Sequence, residues 1–304
     1  MSTEEKELEH LCDIHQGCDA ISMVIEPREK DLGVFSVRRL LPVAQCRSVG
    51  PWIFFDHMGP AKFKAGDGVN VRPHPHVNLA TVTYLFEGEI LHRDSLGSYQ
   101  PIRPGDINLM VAGKGIVHSE RERPEVTAVE HSLNGLQLWL ALPEKYEEID
   151  PAFYHYPAKD IPSLTIDGVA IRVIMGTAYG VTSPVKIFAN TLYVEARLSA
   201  GQSLTIPSSE ESAIYIASGL AEIGHTELEQ YSMAVLTQKK PLVITAKEET
   251  RIAIIGGESL PKRYMEWNFV SSRQARIEQA KSDWQSGRFP NVSGDEDEYI
   301  PLPS

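Results

Sequence analysis

From Ile21 onward the apolar residues fall in short runs such as Thr81-Val-Thr-Tyr-Leu-Phe86, broken by Glu87-Gly88, Leu96-Gly97, Pro104-Gly-Asp106 and Gly113-Lys-Gly115. Runs this short, with turn residues roughly every 8 to 12 positions, predict antiparallel strands closed into a sandwich or barrel. A weak internal repeat doubles the unit. Tyr84-Leu-Phe-Glu-Gly88 returns as Tyr215-Ile-Ala-Ser-Gly219, and Ile107-Asn-Leu-Met110 as Met233-Ala-Val-Leu236. Two copies of one β-barrel are the simplest explanation, and 304 residues are enough for two cores. The one clear helical pattern comes near the end. Ser271-Ser-Arg-Gln274 has the form of a capping box, and Ile277, Ala280 and Trp284 then mark one face before Gly287.

Composition narrows the function classes. A formal net charge of −12 works against nonspecific nucleic-acid binding, because the phosphate backbone rewards clustered Lys and Arg. No apolar run approaches the roughly 20 residues of a membrane-spanning helix. The acidic, polar start MSTEEKELEHLCDIHQ lacks the basic and apolar regions of a signal peptide, so a cytoplasmic protein is expected. Cys12, Cys18 and Cys46 are too few for a disulfide framework, which fits a reducing compartment. Cys12, His15 and Cys18 lack a second pair to complete a tetrahedral zinc site.

The candidate chemistry lies in the first barrel. On a strand, residues i and i+2 point to the same side, so His74 and His76 project together while Pro75 faces away. The same spacing recurs at His118 and Glu120, so two strands each aim two metal-ligand types inward. An H-x-H pair alone is commonly a surface or core feature, and it is the combination of two such pairs that points to a metal. Imidazoles with one carboxylate suit iron, zinc, manganese, nickel or copper, and they exclude the all-oxygen cages of calcium and magnesium. Iron(II) is the first choice. Three imidazoles and one carboxylate leave open positions on an octahedral ion, where an anionic oxygen ligand can bind. Aligning Tyr215 on Tyr84 places Thr205 and Pro207 at the first two histidines of the second barrel. Aligning Tyr231 on Gly105 places Ile244 and Ala246 at His118 and Glu120, so a single metal site per chain is expected. His57 and His92 are candidates for the pocket entrance or for a hydrogen bond to a ligand histidine. Gln137 and Trp139 share a face that an alternating core strand explains equally well, and they stand outside the expected site.

The segments Arg72-Pro-His-Pro-His76, Thr81-Val-Thr-Tyr84, Glu87-Gly-Glu89, His92-Arg-Asp-Ser-Leu-Gly97, Ile102-Arg-Pro-Gly-Asp106 and Gly115-Ile-Val-His-Ser-Glu120 resemble those of the pirins, a bicupin family. The likeness extends through Gly135-Leu-Gln-Leu-Trp139 and Leu142-Pro143. It is strong over the first barrel and a matter of layout over the second. It implies a mostly β fold of two tandem cupin (double-stranded β-helix) barrels with a C-terminal helix. It also implies a non-haem iron centre on His74, His76, His118 and Glu120. Cupins commonly take their glutamate shortly after H-x-H, but Ala80 and Thr81 stand there, so Glu120 supplies the carboxylate as in pirins. Val77-Asn-Leu-Ala80 departs from the more basic, glycine-containing segment of many pirins, which bears on the pocket mouth.

The expected divisions are a mobile N-terminal tail (1–20), the metal-binding barrel (21–145), an ordered connector (146–185), a metal-free barrel with the terminal helix (186–290) and a solvated acidic tail (291–304). Two functions follow from the resemblance. In one, the centre takes a flavonol such as quercetin with dioxygen, and Glu120 acts as the catalytic base, a quercetin 2,3-dioxygenase-like oxidoreductase. In the other, iron switches a binding module that contacts a protein partner, as a regulatory cofactor without direct nucleic-acid or membrane contact.

Overall fold

The computed structural model describes residues 20–31, 35–237 and 242–303. Cys12, His15, Cys18 and nearly all of the expected 1–20 tail lie outside the described residues. By internal contacts the chain divides into two units, and each is a β-sandwich barrel. Among the described residues no helix is long and apolar enough to cross a membrane.

The unit that holds the histidine pairs takes Arg28–Ile161, Pro184–Ala189 and Ser259–Ser304. Its larger sheet has seven strands in the order Ala152–Tyr156, Ile107–Val111, Leu79–Glu87, His131–Ala141, Trp52–Phe63, Ser36–Leu41 and Arg28–Asp31. The smaller has four, in the order Asn70–His76, Ile116–Arg121, Ile90–Asp94 and Tyr99–Ile102. Alternation along the strands turns Val37, Met58, Leu85 and Leu133 of the large sheet against Ile90 and Ile102 of the small one, so the inner faces close on a shared core.

The other unit repeats this layout. Its seven-stranded sheet runs Ile21–Ile25, Met233–Leu236, Glu211–Ser218, Thr250–Gly257, Thr191–Leu198, Val169–Met175 and Ser163–Ile166. Tyr215 and Tyr84 thus lie on the third strand of their sheets, and Met233–Leu236 and Ile107–Val111 are both second, which is the repeat read from the sequence. A four-stranded sheet of Ser203–Thr205, Val243–Ala246, Ala221–Ile223 and Thr226–Leu228 covers an apolar core.

The divisions by contact differ from the expected ones. Ile21–Ile25, expected in the first barrel, pairs with Met233–Leu236 of the second, while Ala152–Tyr156 fills the equivalent edge of the first. The stretch expected as a connector therefore supplies strands to both sheets, because each edge presents backbone donors and acceptors that a further strand satisfies.

The terminal helix, Gln274–Gln285, belongs with the first barrel rather than the second. Phe269 bridges to Val77, and Ile277 and Ala280 close the same small core. The capping box does not form. The helix starts at Gln274 with Arg273 as an N-cap that makes no side-chain cap bond. Ser271 and Ser272 turn instead to Glu147, their hydroxyls donating to Oε2 at 3.2 and 2.9 Å and the Ser272 amide to Oε1 at 2.8 Å. The acidic tail is anchored rather than free in solvent. Arg121 donates to Asp295 at 2.7 and 2.6 Å and to Glu298 at 2.8 Å, the Ile300 amide donates to the Pro73 carbonyl at 2.8 Å, and Val292 is buried. Cationic partners and two apolar anchors offset the charge that predicted solvation.

Arg263 shares the Glu147 carboxylate, with Nε 2.9 Å from Oε1 although its N–H is not aimed at that oxygen. Its side chain is 4% exposed, so it depends on that counter-charge. Glu147→Ala is expected to destabilise the protein by about 3–5 kcal/mol by stranding the guanidinium. Chemical denaturation measures this, and a loss under about 1 kcal/mol would show that Glu147 does not anchor the terminal segment.

Candidate metal centre

Antiparallel register sets the geometry. Asn70–His76 and Ile116–Arg121 are neighbours in the small sheet, with His118 directly opposite His74 and Ile116 opposite His76. An irregularity between His118 and Glu120 then sets Glu120 against Val71. Ring centroids are 4.3 Å apart for His74 and His118, 5.0 Å for His76 and His118, and 5.1 Å for His74 and His76. One ring nitrogen from each of the three lies within 4.8 Å of the others. Glu120 stands outside that tight group, and its Oε1 accepts from Gln137 Nε2 at 2.6 Å.

Burial controls the protonation of the cluster. It pushes the imidazoles of His76 and His118 well below the ordinary histidine value, and the neighbouring histidines push the same way. His74 is lowered by burial too, opposed by its bond to the Arg72 carbonyl and by the nearby Glu120 charge. The rings are therefore neutral near pH 7, the form in which imidazole binds metal. His74 Nδ1 lies 2.8 Å from the Arg72 carbonyl. Among the described residues no hydrogen-bond partner reaches the buried His76 Nδ1 or His118 Nε2. Two unpartnered buried nitrogens in a cluster of neutral imidazoles, with a carboxylate at its edge, fit a divalent transition metal.

A cavity of about 510 Å³ reaches His74 and Glu120. Phe54 and Trp139 stack in its wall with centroids 3.9 Å apart, and Trp139 also meets His76 edge-on at 5.0 Å. Arg39 lies 4.4 Å over the Phe54 ring and binds Asp56 through two bonds of 2.9 and 2.8 Å. Burial pushes the Asp56 carboxyl up despite that guanidinium. Met265, Trp267 and Ile300 from the terminal segment complete the wall.

The remaining sequence candidates separate. His57 lies opposite Leu136, bonds Asn134 Oδ1 at 2.6 Å, and is not part of the cavity wall. Asp56, one residue away on the same strand, takes the inward position. His92 sits beside the centre, its ring stacked on Phe153 at 4.2 Å and its Nε2 2.9 Å from Asp94 Oδ2. Burial raises the Asp94 carboxyl, but its bonds to His92 and Ser98 outweigh that and hold it below the usual range. Gln137 and Trp139 belong to the site after all, and their i, i+2 spacing was the signal for them. In the second barrel the inward positions are Leu204 and Ile206, one residue from the aligned Thr205 and Pro207, together with Ile244 and Ala246 as aligned.

The depressed values of His76 and His118 carry a pH dependence. In the unfolded chain these groups titrate near 6.5, so below that pH the unfolded state binds more protons than the folded one. The metal-free protein is at full stability above about pH 6.5 and loses it as the pH falls through that value toward the folded ones. Its thermal midpoint should fall between about pH 7.5 and about pH 5.5, and less steeply in His118→Gln. Equal slopes in the two proteins would mean that His118 does not carry the effect.

Comparison with known proteins gives the same outline. The pirin family profile matches residues 34–140, and that of the pirin C-terminal cupin domain matches 193–290. A pirin-like protein of Caulobacter vibrioides is 46% identical over 290 residues, which span 93% of this chain and 99% of that protein. Human pirin is 31% identical over 279 residues, spanning 88% and 93%. The solved structure of a quercetin 2,3-dioxygenase from Acinetobacter baumannii matches with a TM-score of 0.86 at 34% identity, over 93% of this chain and 95% of that one. With both halves matched and near-complete coverage of these relatives, the chain belongs to the pirin family of cupin proteins.

Proposed function

We propose that this pirin-family protein holds one divalent transition metal, iron(II) first among the candidates, on His74, His76, His118 and Glu120. On this reading it is a cytoplasmic dioxygenase acting on a flavonol such as quercetin. The observation that carries the reading is the cavity of about 510 Å³ that reaches His74 and Glu120. That volume lies within the range of small-molecule sites. The name of the Acinetobacter baumannii relative supports the substrate class.

The metal, when bound, supplies the Lewis-acid and redox chemistry that couples a hydroxyaromatic to dioxygen. The protein's own groups do the rest. The Phe54–Trp139 stack offers an aromatic wall on which a planar ring can lie. Glu120 accepts the proton of the substrate hydroxyl, and the Gln137 amide holds one carboxylate oxygen so that the other remains available. The Arg39–Asp56 pair adds a polar contact for a second hydroxyl group. The alternative, an iron-dependent switch that contacts a protein partner, calls for a sealed centre, and the open route to His74 and Glu120 favours catalysis.

Protein purified without chelator is expected to carry about one transition-metal ion per chain by elemental analysis, and His118→Ala to lose most of it. Unchanged occupancy in that variant would remove His118 from the ligand set. With iron loaded, Glu120→Gln should lower quercetin-dependent oxygen consumption by about 10²- to 10⁴-fold while binding the flavonol almost as well. If wild type loaded with iron consumes no oxygen with any flavonol or catechol, the dioxygenase reading fails and the binding module replaces it.

A further inference from the structure

Beside the three histidines runs a second, buried line of polar groups that the proposed chemistry leaves unused. Asp94 is 0% exposed, and its Oδ1 accepts from the backbone amides of Leu96 and Ser98 at 2.9 and 3.0 Å. Its Oδ2 lies 2.9 Å from His92 Nε2, and His92 Nδ1 lies 3.4 Å from His118 Nδ1. The far nitrogen of His118, Nε2, is buried and has no partner among the described residues.

We infer that Asp94 and His92 are positioning residues that set the proton register of His118, so that its Nε2 lone pair faces the metal. This rests on the metal centre proposed above. The register follows from donor and acceptor counting along the line. An ionised carboxylate only accepts, so His92 Nε2 carries the proton. A neutral imidazole has one donor and one acceptor, which leaves the His92 Nδ1 lone pair facing His118. The bond between the two Nδ1 atoms needs one proton, and His118 must supply it. His118 Nε2 is then the bare nitrogen, the one left without a partner. Phe153 stacked on the His92 ring holds its plane, and the two amides hold the carboxylate, so the line is fixed at its far end and along its side. His74 is fixed more simply, by the carbonyl of Arg72 two residues before it. His118 has no such local acceptor and borrows one from the neighbouring strand, where Asp94 is its register partner.

The test uses the full chain with zinc(II), a diamagnetic probe, and ¹⁵N-labelled histidine. In wild type, His118 should show a protonated Nδ1 and a metal-bound Nε2. A scalar coupling should cross the N–H···N bond to an unprotonated His92 Nδ1. His92→Phe keeps a ring against Phe153 but removes the acceptor, and it should raise the zinc dissociation constant by about 10- to 100-fold with an unchanged far-ultraviolet circular dichroism spectrum. Asp94→Asn keeps an acceptor for His92 and should lose less. A His92 ring protonated on both nitrogens, a His118 Nδ1 without a proton, or a His92→Phe affinity within twofold of wild type overturns the inference. The wild-type spectrum decides the matter even if the variants fail to fold. Wild type that binds no zinc, iron or other transition metal overturns the metal centre itself, whereas tight wild-type binding with an indifferent His92→Phe overturns only the relay.

Discussion

Holding three neutral, buried imidazoles together inside one barrel is the constraint on which the rest of this site depends. A buried polar atom without a partner costs about 1–3 kcal/mol, and His76 and His118 each carry one. The sheet brings this about through strict geometry, since period-2 alternation points both residues of each pair inward and antiparallel register sets His118 opposite His74. The neighbours determine which nitrogen faces the centre. The Arg72 carbonyl accepts from His74, the Asn268 backbone bonds His76, and Gln137 aims Glu120. His74 is thus held within its own strand, while His76 and Glu120 are held by groups distant in sequence.

The cavity is continuous with this arrangement. Trp139 touches His76 on one side and stacks on Phe54 on the other, and Arg39 covers Phe54 while binding Asp56. One line of contacts therefore runs from the imidazoles to the cavity wall. A further part of the wall comes from the C-terminal segment. Ile300 is held by its own amide on Pro73 and by the Trp284 indole donating to its carbonyl at 3.0 Å, and Arg121 ties down the acidic residues before it.

The parts legible in the sequence were those governed by local periodicity. Short apolar runs with turn punctuation predicted the strands, the Tyr84 and Tyr215 repeat predicted two barrels, and two i, i+2 pairs brought His74, His76, His118 and Glu120 into one small sheet. What local pattern could not show was which edge a strand would join or where the end of the chain would go. Ile21–Ile25 and Ala152–Tyr156 take their places through long-range pairing. The capping box failed because Ser271 Oγ accepts from the Arg273 amide rather than from Gln274, while both serine hydroxyls donate to the Glu147 carboxylate, far off in sequence. His92 was named among the candidates for a hydrogen bond to a ligand histidine, but the sequence did not show that His118 would be the ligand it faces, because that contact crosses between strands.

The two barrels show what the histidines displace. Leu204, Ile206, Ile244 and Ala246 occupy the corresponding inner positions of the second barrel and join its apolar core. Each buried Leu or Ile there contributes about 1.5–3 kcal/mol by leaving water. A histidine in the same position gains less and brings a nitrogen that needs a partner. The apolar set is thus the better solution when only packing is at stake, and the same pair of strands supports it without any change of register. The histidine set makes physical sense where a bound ion takes up the lone pairs, because its binding energy then offsets a deficit that packing alone leaves. The second barrel is therefore the internal reference for the first. The fold accommodates polar groups at these positions without requiring them, so barrel packing alone does not account for the three imidazoles and the carboxylate.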